Sequence, residues 1–459
     1  MSRPASQPHA SIYQNIGRTH AFEPLRVSGS LPSDLRGTLF RTGPGLHERF
    51  GKRVGHAFEA DGVMSAVRLD GSGGAVGAVR VVQSAGYLEE EERGRFLYST
   101  GASAIDRFRA ILGGKGKATG NTSMWSYQGS LYALMEGWLP VRVDPATLET
   151  LGDTDLDGII PQAFSAHPHR VPARNASFNF GVRYGRTMQI DVFVLPDDAP
   201  PQKLTTVEAP ANAMVHDWVV TQTHLVLLVC PAHLRTVRAA LGIGGLDKWF
   251  RWTPEAGTTA IVIPIDAPED VRQFQVDPFW FWHTSNAWTE GNTLTVDLSW
   301  YPDLASLSDF GPGEGESTPP RLHRCTLDLR TGTFEHEVMH EQPVEFPQVH
   351  PGVLAQRSAV IFGLTEHENQ HRGIVRLDDD GALSEWMPDD EGQASEPILV
   401  PRGDAEDDVW VLTLVHDDPT DASYVAVLDG QELERGPVAQ VWFDQTIPET
   451  FHGLWRSGS

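Results

Sequence analysis

Cysteine and positive charge are both scarce in this 459-residue sequence. Only Cys230 and Cys325 are present, too few for a disulfide framework, and their apolar, strand-like surroundings predict buried thiols in a reducing cytoplasm. The 36 basic residues stand against 61 acidic residues, so the formal charge of −25 would repel the phosphates of a nucleic acid. We therefore expect no nucleic-acid partner, and nothing in the sequence indicates an obligate protein partner.

Long hydrophobic runs are also missing. No segment approaches the roughly 18 apolar residues needed to cross a bilayer, and the polar residues 1–14 lack the apolar core of a secretory signal. We expect a cytoplasmic protein that is soluble or attached to one face of a membrane. Residues 108–112 and 234–250 combine apolar side chains with Lys and Arg and are candidates for such peripheral docking, although a helix packed on the protein would look the same.

Helical periodicity is rare, whereas short strand-like segments are frequent. From about Gly37 onward, short runs of apolar and β-branched residues end at Gly, Asp, Asn or Pro, which is typical of a repetitive antiparallel sheet. No linker or change in composition divides the chain, so we predict one all-β domain over residues 1–459, with a loosely ordered arm over residues 1–20. A clean repeat of 40 to 50 residues is absent, so the pattern alone does not give a number of propeller blades.

Four of the 18 histidines begin or end strand-like runs. They are His167, His216, His283 and His452. The intervals between them are 49, 67 and 169 residues, so no local element can hold them together. If they meet, the fold must bring distant strands to a common axis, as a radial β architecture does. A single histidine is more commonly a core or surface residue, so the hypothesis of a metal site depends on the whole set.

Short motifs follow one another through almost the whole chain. They are Leu-Pro-Ser-Asp-Leu-Arg-Gly at 31–37 with Arg-Thr-Gly-Pro-Gly at 41–45 and His56 to Met64, Asn-Thr-Ser at 121–123, Ala-Leu-Met-Glu-Gly at 133–137, Ala-His-Pro at 166–168, His-Asp at 216–217, His283 with Asn-Ala at 286–287, Glu-Phe-Pro at 345–347, Ser395 to Arg402, and Phe-His-Gly at 451–453. In this order they resemble the carotenoid cleavage oxygenase family. The resemblance implies a seven-bladed β-propeller with a metal site on its central axis and a dome of helices and loops over one face.

The resemblance also assigns roles to individual residues. It implies that Fe(II) is bound by four imidazoles, which are those of His167, His216, His283 and His452. It implies that three of these rings are held by carboxylates, which are those of Glu136, Glu345 and Glu396. Four neutral imidazoles leave two neighbouring positions of an octahedral ion free, and a carboxylate that accepts the distal ring N–H fixes the orientation of the ring. For each Glu the alternative is a solvated charge or an ion pair, and this alternative is weakest for Glu136, which follows an apolar run.

Thr122 corresponds to a position beside an open iron site in the family. A plain hydroxyl at a strand end explains this residue equally well. The resemblance implies no catalytic residue beyond the metal centre, because the reaction requires no protein acid, base or nucleophile.

The implied reaction is the cleavage of a carbon–carbon double bond by dioxygen, which yields two carbonyl products. A carotenoid or apocarotenal is the first choice of substrate. Stilbene-cleaving relatives typically carry Lys immediately before the first of the three glutamates, whereas this sequence has Met135. The difference argues against lignostilbene-type substrates, but stilbenes and phenylpropenoids such as isoeugenol stay open as alternatives, as does isomerisation on the same fold.

Residues 336–340, His-Glu-Val-Met-His, match the HExxH motif of zinc peptidases. The motif requires a helix, where residues four apart share a face and reach one ion. The flanking residues 325–329 and 333–335 predict a hairpin instead, and on a strand residues four apart are about 13 Å apart. A zinc peptidase is thus a poor alternative. A propeller that has lost its metal and only binds partners is a further one, and the complete set of histidines and glutamates argues against it.

Overall fold

The computed structural model describes residues 10–310, 317–367, 371–389 and 392–458, whose regular secondary structure is mainly short antiparallel strands. Seven groups of four strands pair side by side in this described part of the chain, and each group forms one blade of a propeller. The predicted seven-bladed architecture is confirmed.

We number the blades so that blade 1 contains the N-terminal strands. The four central blades each use consecutive strands, which are Ser123–Tyr127, Ser130–Leu134, Val141–Val143 and Thr150–Asp153 in blade 2; His169–Val171, Ala176–Arg183, Met188–Pro196 and Gln202–Ala209 in blade 3; Val219–Val220, His224–Val229, Thr258–Pro264 and Arg272–Val276 in blade 4; and Trp280–Glu290, Thr293–Tyr301, Arg321–Asp328 and Phe334–Pro343 in blade 5. In each of these blades the first strand is the innermost one, nearest the central axis.

Blades 6, 7 and 1 are linked into one continuous sheet. Their strands are Glu345–Gln348, Val360–Glu366, Arg372–Asp378 and Leu383–Trp386 in blade 6; Ile398–Pro401, Val409–Asp417, Ala422–Asp429 and Ala439–Trp442 in blade 7; and Gly453–Ser457, Arg36–Leu46, Asp61–Asp70 and Ala75–Val81 in blade 1. Gln393–Ala394 pairs with strands of blades 6 and 7, and His20–Gly29 pairs with the outer strands of blades 7 and 1.

The ring is closed by the pairing of two segments from opposite ends of the described chain. Gly453–Ser457 runs antiparallel to Arg36–Leu46, with Gly453 opposite Arg41. Blade 1 therefore contains both N-terminal and C-terminal strands. The residue immediately before the closing strand, His452, is placed at the central axis by this pairing.

The strand His224–Val229 shows how neighbouring blades pack. Leu225 and Leu227 belong to the apolar core shared with blade 3, whereas Val226 and Leu228 belong to the core shared with blade 5. Successive side chains of a strand point to opposite faces, so a strand between two neighbouring blades is apolar on both faces. This explains why its sequence is a continuous apolar run and not an alternation.

Both cysteines lie in such buried strands or directly after them. Cys230 and Cys325 are buried and free, and burial raises the pKa of each thiol. The prediction of buried thiols is confirmed.

The described part of the chain contains four short helices, which are concentrated in two insertions. α1 (Ala85–Arg93) and α2 (Ala104–Leu112) lie between blades 1 and 2, and α3 (Thr236–Leu241) and α4 (Leu246–Trp249) lie inside blade 4. The side chains of Ser84 and Ser103 cap the first two helices. α2 and α3 are neighbours, because the Arg107 guanidinium donates to the carbonyl of Leu241 at 3.4 Å. These insertions supply the helices of the predicted dome.

The remaining elements are small. They are the ribbons Glu48–Arg49 with Lys52–Arg53 and Ala232–Leu234 with Phe250–Trp252, and the 3-10 turns Ala10–Tyr13, Ala57–Glu59, Pro172–Arg174, Pro254–Ala256, Ala305–Phe310, Pro351–Val353 and Leu433–Arg435. The arm predicted over residues 1–20 falls partly on residues 1–9, which lie outside the described residues. That residues 1–459 form a single domain stays a prediction.

Candidate metal centre

In every blade, one of the residues predicted as site residues lies within three positions of the first residue of the innermost strand. From blade 1 to blade 7 these residues are His452, Thr122, His167, His216, His283, Glu345 and Glu396. In a propeller the innermost strands surround the central axis, so side chains at the same level of these strands converge there. Seven of the eight residues predicted as site residues stand in this ring. They are the four histidines, Glu345, Glu396 and Thr122.

The structure brings the four predicted histidines together. The Nε2 atoms of His167 and His216 are 3.1 Å apart, and those of His216 and His283 are 3.4 Å apart. The ring of His452 lies 4.9 Å from that of His167 and 4.7 Å from that of His283, measured between centroids. The rings thus come from four different blades and meet at one point.

The three predicted glutamates hold three of these rings from behind. Nδ1 of His283 lies 2.5 Å from Glu345 Oε2, and Nδ1 of His452 lies 2.8 Å from Glu396 Oε1. The third pair is Nδ1 of His216 with a carboxylate oxygen of Glu136, which follows the second strand of blade 2.

This arrangement fixes the tautomer of the rings. An ionised carboxylate only accepts hydrogen bonds, so each Nδ1 that faces one carries the proton and each Nε2 carries a lone pair. The pKa of His167 is held well below its usual range by burial and then by the neighbouring His216 and His452, so this ring is neutral as well.

The converging lone pairs fit a divalent transition metal. The Nε2 lone pairs of His216 and His283 face one another at 3.4 Å, because a carboxylate faces Nδ1 of each ring; they repel, and a cation bound by both removes the repulsion. With metal–nitrogen bonds of about 2.1 Å, neighbouring corners of an octahedron or a tetrahedron are about 3.0 or about 3.4 Å apart. The spacings of 3.1 and 3.4 Å between Nε2 atoms are therefore those of ligands on one ion.

Glu396 is the most extensively bonded of the three carboxylates. Its oxygens accept from the backbone N–H of Gly453 at 2.8 Å and from the side chain of Gln348 at 3.2 Å, and Arg41 Nη1 lies 3.8 Å away. Burial alone would raise the pKa of this carboxyl, but His452 and Arg41 more than offset burial and leave the pKa below its usual value. Glu396 therefore keeps its negative charge.

Besides His283, two further donors hold Glu345. Tyr301 donates its hydroxyl hydrogen to Oε1 at 3.0 Å, and the backbone N–H of Phe346 donates to Oε2 at 2.6 Å. The pKa of Tyr301 is raised well above its usual value by burial and by the charge of Glu345, so the phenol stays protonated as a donor.

Aromatic rings surround the imidazoles. Phe346 stacks on His283 with centroids 4.5 Å apart, and Trp282 meets His216 edge-on at 4.6 Å. Phe346 has a φ of +48°, an uncommon conformation for an aromatic residue that is typical of functional sites. The rings of Phe58, Phe310 and Phe451 pack against one another beside Trp282. The surroundings of the centre are thus apolar except for the histidines and their partners.

Thr122 lies at the inner end of blade 2 and is buried. Its hydroxyl donates to Asn121 Oδ1 at 3.1 Å, and its carbonyl accepts from the backbone N–H of His452 at 3.0 Å. Thr122 therefore joins blade 2 to the closing strand of blade 1, and its predicted place beside an open metal position stays a prediction.

Three residues of the centre were not predicted as site residues: Arg41, Asp217 and Phe346. Each of them lies inside one of the sequence motifs described above. Asp217 directly follows His216, and Phe346 directly follows Glu345. The adjacency to His216 and Glu345 was the available signal.

The HExxH segment lies elsewhere. Residues 336–340 are part of the strand Phe334–Pro343, which pairs with Arg321–Asp328, so the predicted hairpin is confirmed. The His336 ring stacks on Trp300, and its Nδ1 lies 3.1 Å from Nδ1 of His323. Among the described residues, no group of three metal-ligating side chains includes His336 or His340.

Comparison with known proteins agrees with this centre. A family model described as RPE65, retinal pigment epithelial membrane protein, matches residues 14–457. The apocarotenoid-15,15'-oxygenase of Synechocystis sp. is 28% identical over 453 residues, which are 94% of this chain and 92% of that protein. The isoeugenol monooxygenase of Pseudomonas putida is 27% identical over 465 residues, 94% of each chain.

A solved structure extends the similarity to three dimensions. The crystal structure of the cobalt-substituted Synechocystis ACO superposes with a TM-score of 0.89 at 27% identity and covers 98% of both chains. The fold of the chain is therefore similar to that of a protein that has been crystallised in a cobalt-substituted form.

Proposed function

We propose that this chain, which belongs to the RPE65 and carotenoid cleavage oxygenase family, is an iron(II) dioxygenase that cleaves a carbon–carbon double bond of an apolar conjugated substrate to two carbonyl products. Members of this family are named as oxygenases, and the protein is an enzyme of this class. The observation that carries the proposal is the convergence of four imidazoles, three of which face a glutamate carboxylate through Nδ1.

Each set of residues has a distinct task in this proposal. Iron(II), when bound by His167, His216, His283 and His452, supplies the binding and activation of dioxygen. The glutamates keep three rings in the metal-binding tautomer and supply negative charge near the cation. The aromatic rings exclude water and offer apolar surface to a conjugated substrate.

Metal analysis tests the identity of the ion. The protein is purified without oxygen and its metal content is measured, with about one iron per chain as the expected result. One zinc per chain with no iron would contradict the proposed cofactor, and a protein that binds no metal would support the non-catalytic propeller instead.

For the substrate we propose a carotenoid or an apocarotenal. Met135 precedes Glu136 and offers no charge to a phenolic oxygen, and the rings around the histidines are apolar. The similarity to an isoeugenol monooxygenase supports phenylpropenoids as a second candidate, because its identity of 27% is close to the 28% of the apocarotenoid oxygenase.

A product assay separates these candidates. The enzyme is incubated under ¹⁸O₂ with β-apocarotenals, carotenes, stilbenes and isoeugenol, and the products are identified by mass spectrometry. We expect two labelled carbonyl fragments from an apocarotenoid. Turnover of isoeugenol alone would move the assignment to phenylpropenoids, and a rearranged, unlabelled product would indicate isomerisation.

We further propose that the enzyme is cytoplasmic and collects its substrate from a membrane surface through α2 and the α3 region. The exposed apolar side chains there are Ile105, Phe108, Ile111, Leu112, Val237, Leu241 and Ile243. Leu112 is 71% and Val237 is 74% exposed, although large apolar residues usually avoid water. No helix of the described residues is long and apolar enough to span a bilayer, so the proposed contact is peripheral.

Liposome co-sedimentation tests this contact. We expect that replacing Phe108, Leu112, Leu241 and Ile243 by Ser lowers both the bound fraction and the turnover of a micellar substrate. Leu151→Ser is the matched control, because Leu151 is 54% exposed and belongs to a strand of blade 2 and not to α2 or the α3 region. Equal sedimentation of both variants and the unmodified protein would contradict the proposal.

A further inference from the structure

Asp217 follows His216 directly, and its side chain is only 2% exposed. Oδ1 lies 2.7 Å from Nε2 of His169 and accepts the backbone N–H of Trp218 at 2.8 Å. Oδ2 accepts the backbone N–H of Thr284 at 2.8 Å and its hydroxyl hydrogen at 3.0 Å. Four donors therefore occupy the accepting positions of one carboxylate.

These donors belong to the segments that carry the imidazoles. His169 is two residues after His167 in blade 3, and Thr284 is one residue after His283 in blade 5. Asp217 itself stands beside His216 in blade 4. One carboxylate thus joins the inner ends of three neighbouring blades at the level of the metal centre.

His167 depends on this junction more than the other three rings do. The carboxylates of Glu136, Glu345 and Glu396 each contact one of the other rings, whereas the contacts of the described residues show no carboxylate paired with the ring of His167, although that of Glu136 lies within 4.8 Å of it. Its segment is held by blade 4 instead: Trp218 Nε1 donates to the His167 carbonyl at 3.1 Å, and Asp217 holds His169.

We infer that Asp217 is a positioning residue, which fixes His167, His216 and His283 relative to one another by joining the strands that carry them. The inference rests on the proposed metal site, because it assigns to Asp217 the alignment of that site's ligands. Partners one bond removed from a metal ligand typically change metal affinity by about 10- to 100-fold when they are lost.

Asp191 provides a matched control. Its side chain is 1% exposed, and it accepts from Arg183 and Thr206 inside blade 3. Both carboxylates are therefore buried and fully bonded, but only Asp217 connects segments of the metal centre. Loss of Asp191 is expected to lower stability without changing metal binding.

The test uses cobalt(II), whose visible absorption reports the geometry of its ligands. Metal-free full-length protein, Asp217→Asn and Asp191→Asn are titrated with Co²⁺ in competition with a chelator. The Asn amide cannot accept the Thr284 N–H at its nitrogen, so we expect about 10- to 100-fold weaker binding and an altered spectrum for Asp217→Asn. Asp191→Asn should stay within about twofold of the unmodified protein. Equal affinity and spectrum for Asp217→Asn would overturn the inference.

Milder variants keep the test decisive if Asp217→Asn does not fold. His169→Ala removes one donor at a side chain that is 26% exposed, and His169→Gln restores an N–H donor. We expect His169→Ala to change the cobalt spectrum and His169→Gln to recover part of it. An unchanged spectrum in His169→Ala would overturn the inference about Asp217 but not the proposed function. An unmodified protein that binds no cobalt would overturn both.

Discussion

The centre of the propeller and the outer edge of blade 5 both hold close pairs of histidines, but the two pairs differ in what surrounds them. At the centre, His216 and His283 are 3.4 Å apart at Nε2, and a carboxylate faces Nδ1 of each ring. At the edge, His323 and His336 are 3.1 Å apart at Nδ1 and stack on Trp300. Two imidazoles without further partners share one proton, whereas imidazoles backed by carboxylates present lone pairs to a cation.

The difference teaches that the proximity of two rings does not by itself identify a metal ligand, and that for three of the four central rings a carboxylate at the distal nitrogen does. The central rings are neighbours in space although 67 residues separate His216 from His283. His336 and His340, four residues apart, lie along one strand, where the rise per residue separates them by about 13 Å, too far to bind one ion. A short motif is meaningful only when the secondary structure that it requires is present.

The comparison is tested most strongly by removing one ring from each region. We expect His283→Ala to lose iron almost completely and to abolish oxygen consumption, because it removes a ligand and leaves Glu345 without its partner. His340→Ala should leave the iron content and oxygen consumption nearly unchanged. Iron analysis and an oxygen electrode measure both, and the opposite result would assign the metal to the HExxH strand.

Removing the charge of one glutamate is expected to have the next largest effect. Glu396→Gln preserves the shape of the side chain but weakens the acceptor for His452 Nδ1 and leaves buried Arg41 without its anion. We expect iron affinity to fall about 10- to 100-fold. Glu385→Gln is the control, since Glu385 pairs with His367 at the surface of blade 6 at 3.1 Å. Equal iron affinity for the two variants would contradict a role of the carboxylate in metal binding.

Acid should affect the edge pair through His323, whose pKa is lowered to about 4 by burial and then by His336 and Arg321. In the unfolded chain the ring takes up a proton near pH 6.5, whereas the folded ring does so only near pH 4. The free energy of unfolding therefore falls as the pH drops through this window, by on the order of 1–2 kcal/mol after allowance for solvent screening. Urea unfolding at several pH values should show a smaller fall in His323→Phe, and an identical fall would contradict this origin.

The smallest expected effect is that of His336→Ala. It leaves Nδ1 of the buried His323 without its partner and removes a ring that stacks on Trp300. We expect a loss of about 1 kcal/mol in the free energy of unfolding and no change in iron content. A change in iron content would indicate that the two regions are coupled.

Sequence motifs predicted the architecture and the four histidines, but they did not reveal how the blades are delimited. The interval between the inner polar residues of successive blades ranges from 45 residues, between Thr122 and His167, to 67, between His216 and His283. The insertion that contains α3 and α4 lengthens blade 4 and hides any regular repeat. The number of blades therefore came from a family resemblance and not from periodicity.

The site was predictable to the extent that its residues stand in motifs. The pairing of each glutamate with a particular ring depends on which strands are neighbours around the axis, and spacing along the chain contains no such information. The conformation of Phe346, at a φ of +48°, and the four donors to Asp217 are likewise products of tertiary structure. For Phe346 and Asp217, the sequence showed only that each directly follows a predicted carboxylate or ligand.

The closure of the ring by Gly453–Ser457 has a consequence for how the protein is made. Arg36–Leu46 is translated before the other blade strands of the described residues, and its closing partner is the last of these strands to be translated. His452 directly precedes that partner, so three of the four imidazoles are synthesised well before the fourth. Loading of the metal by the full set of ligands thus has to follow translation of the closing strand, and a nascent chain halted before residue 452 has an incomplete coordination set.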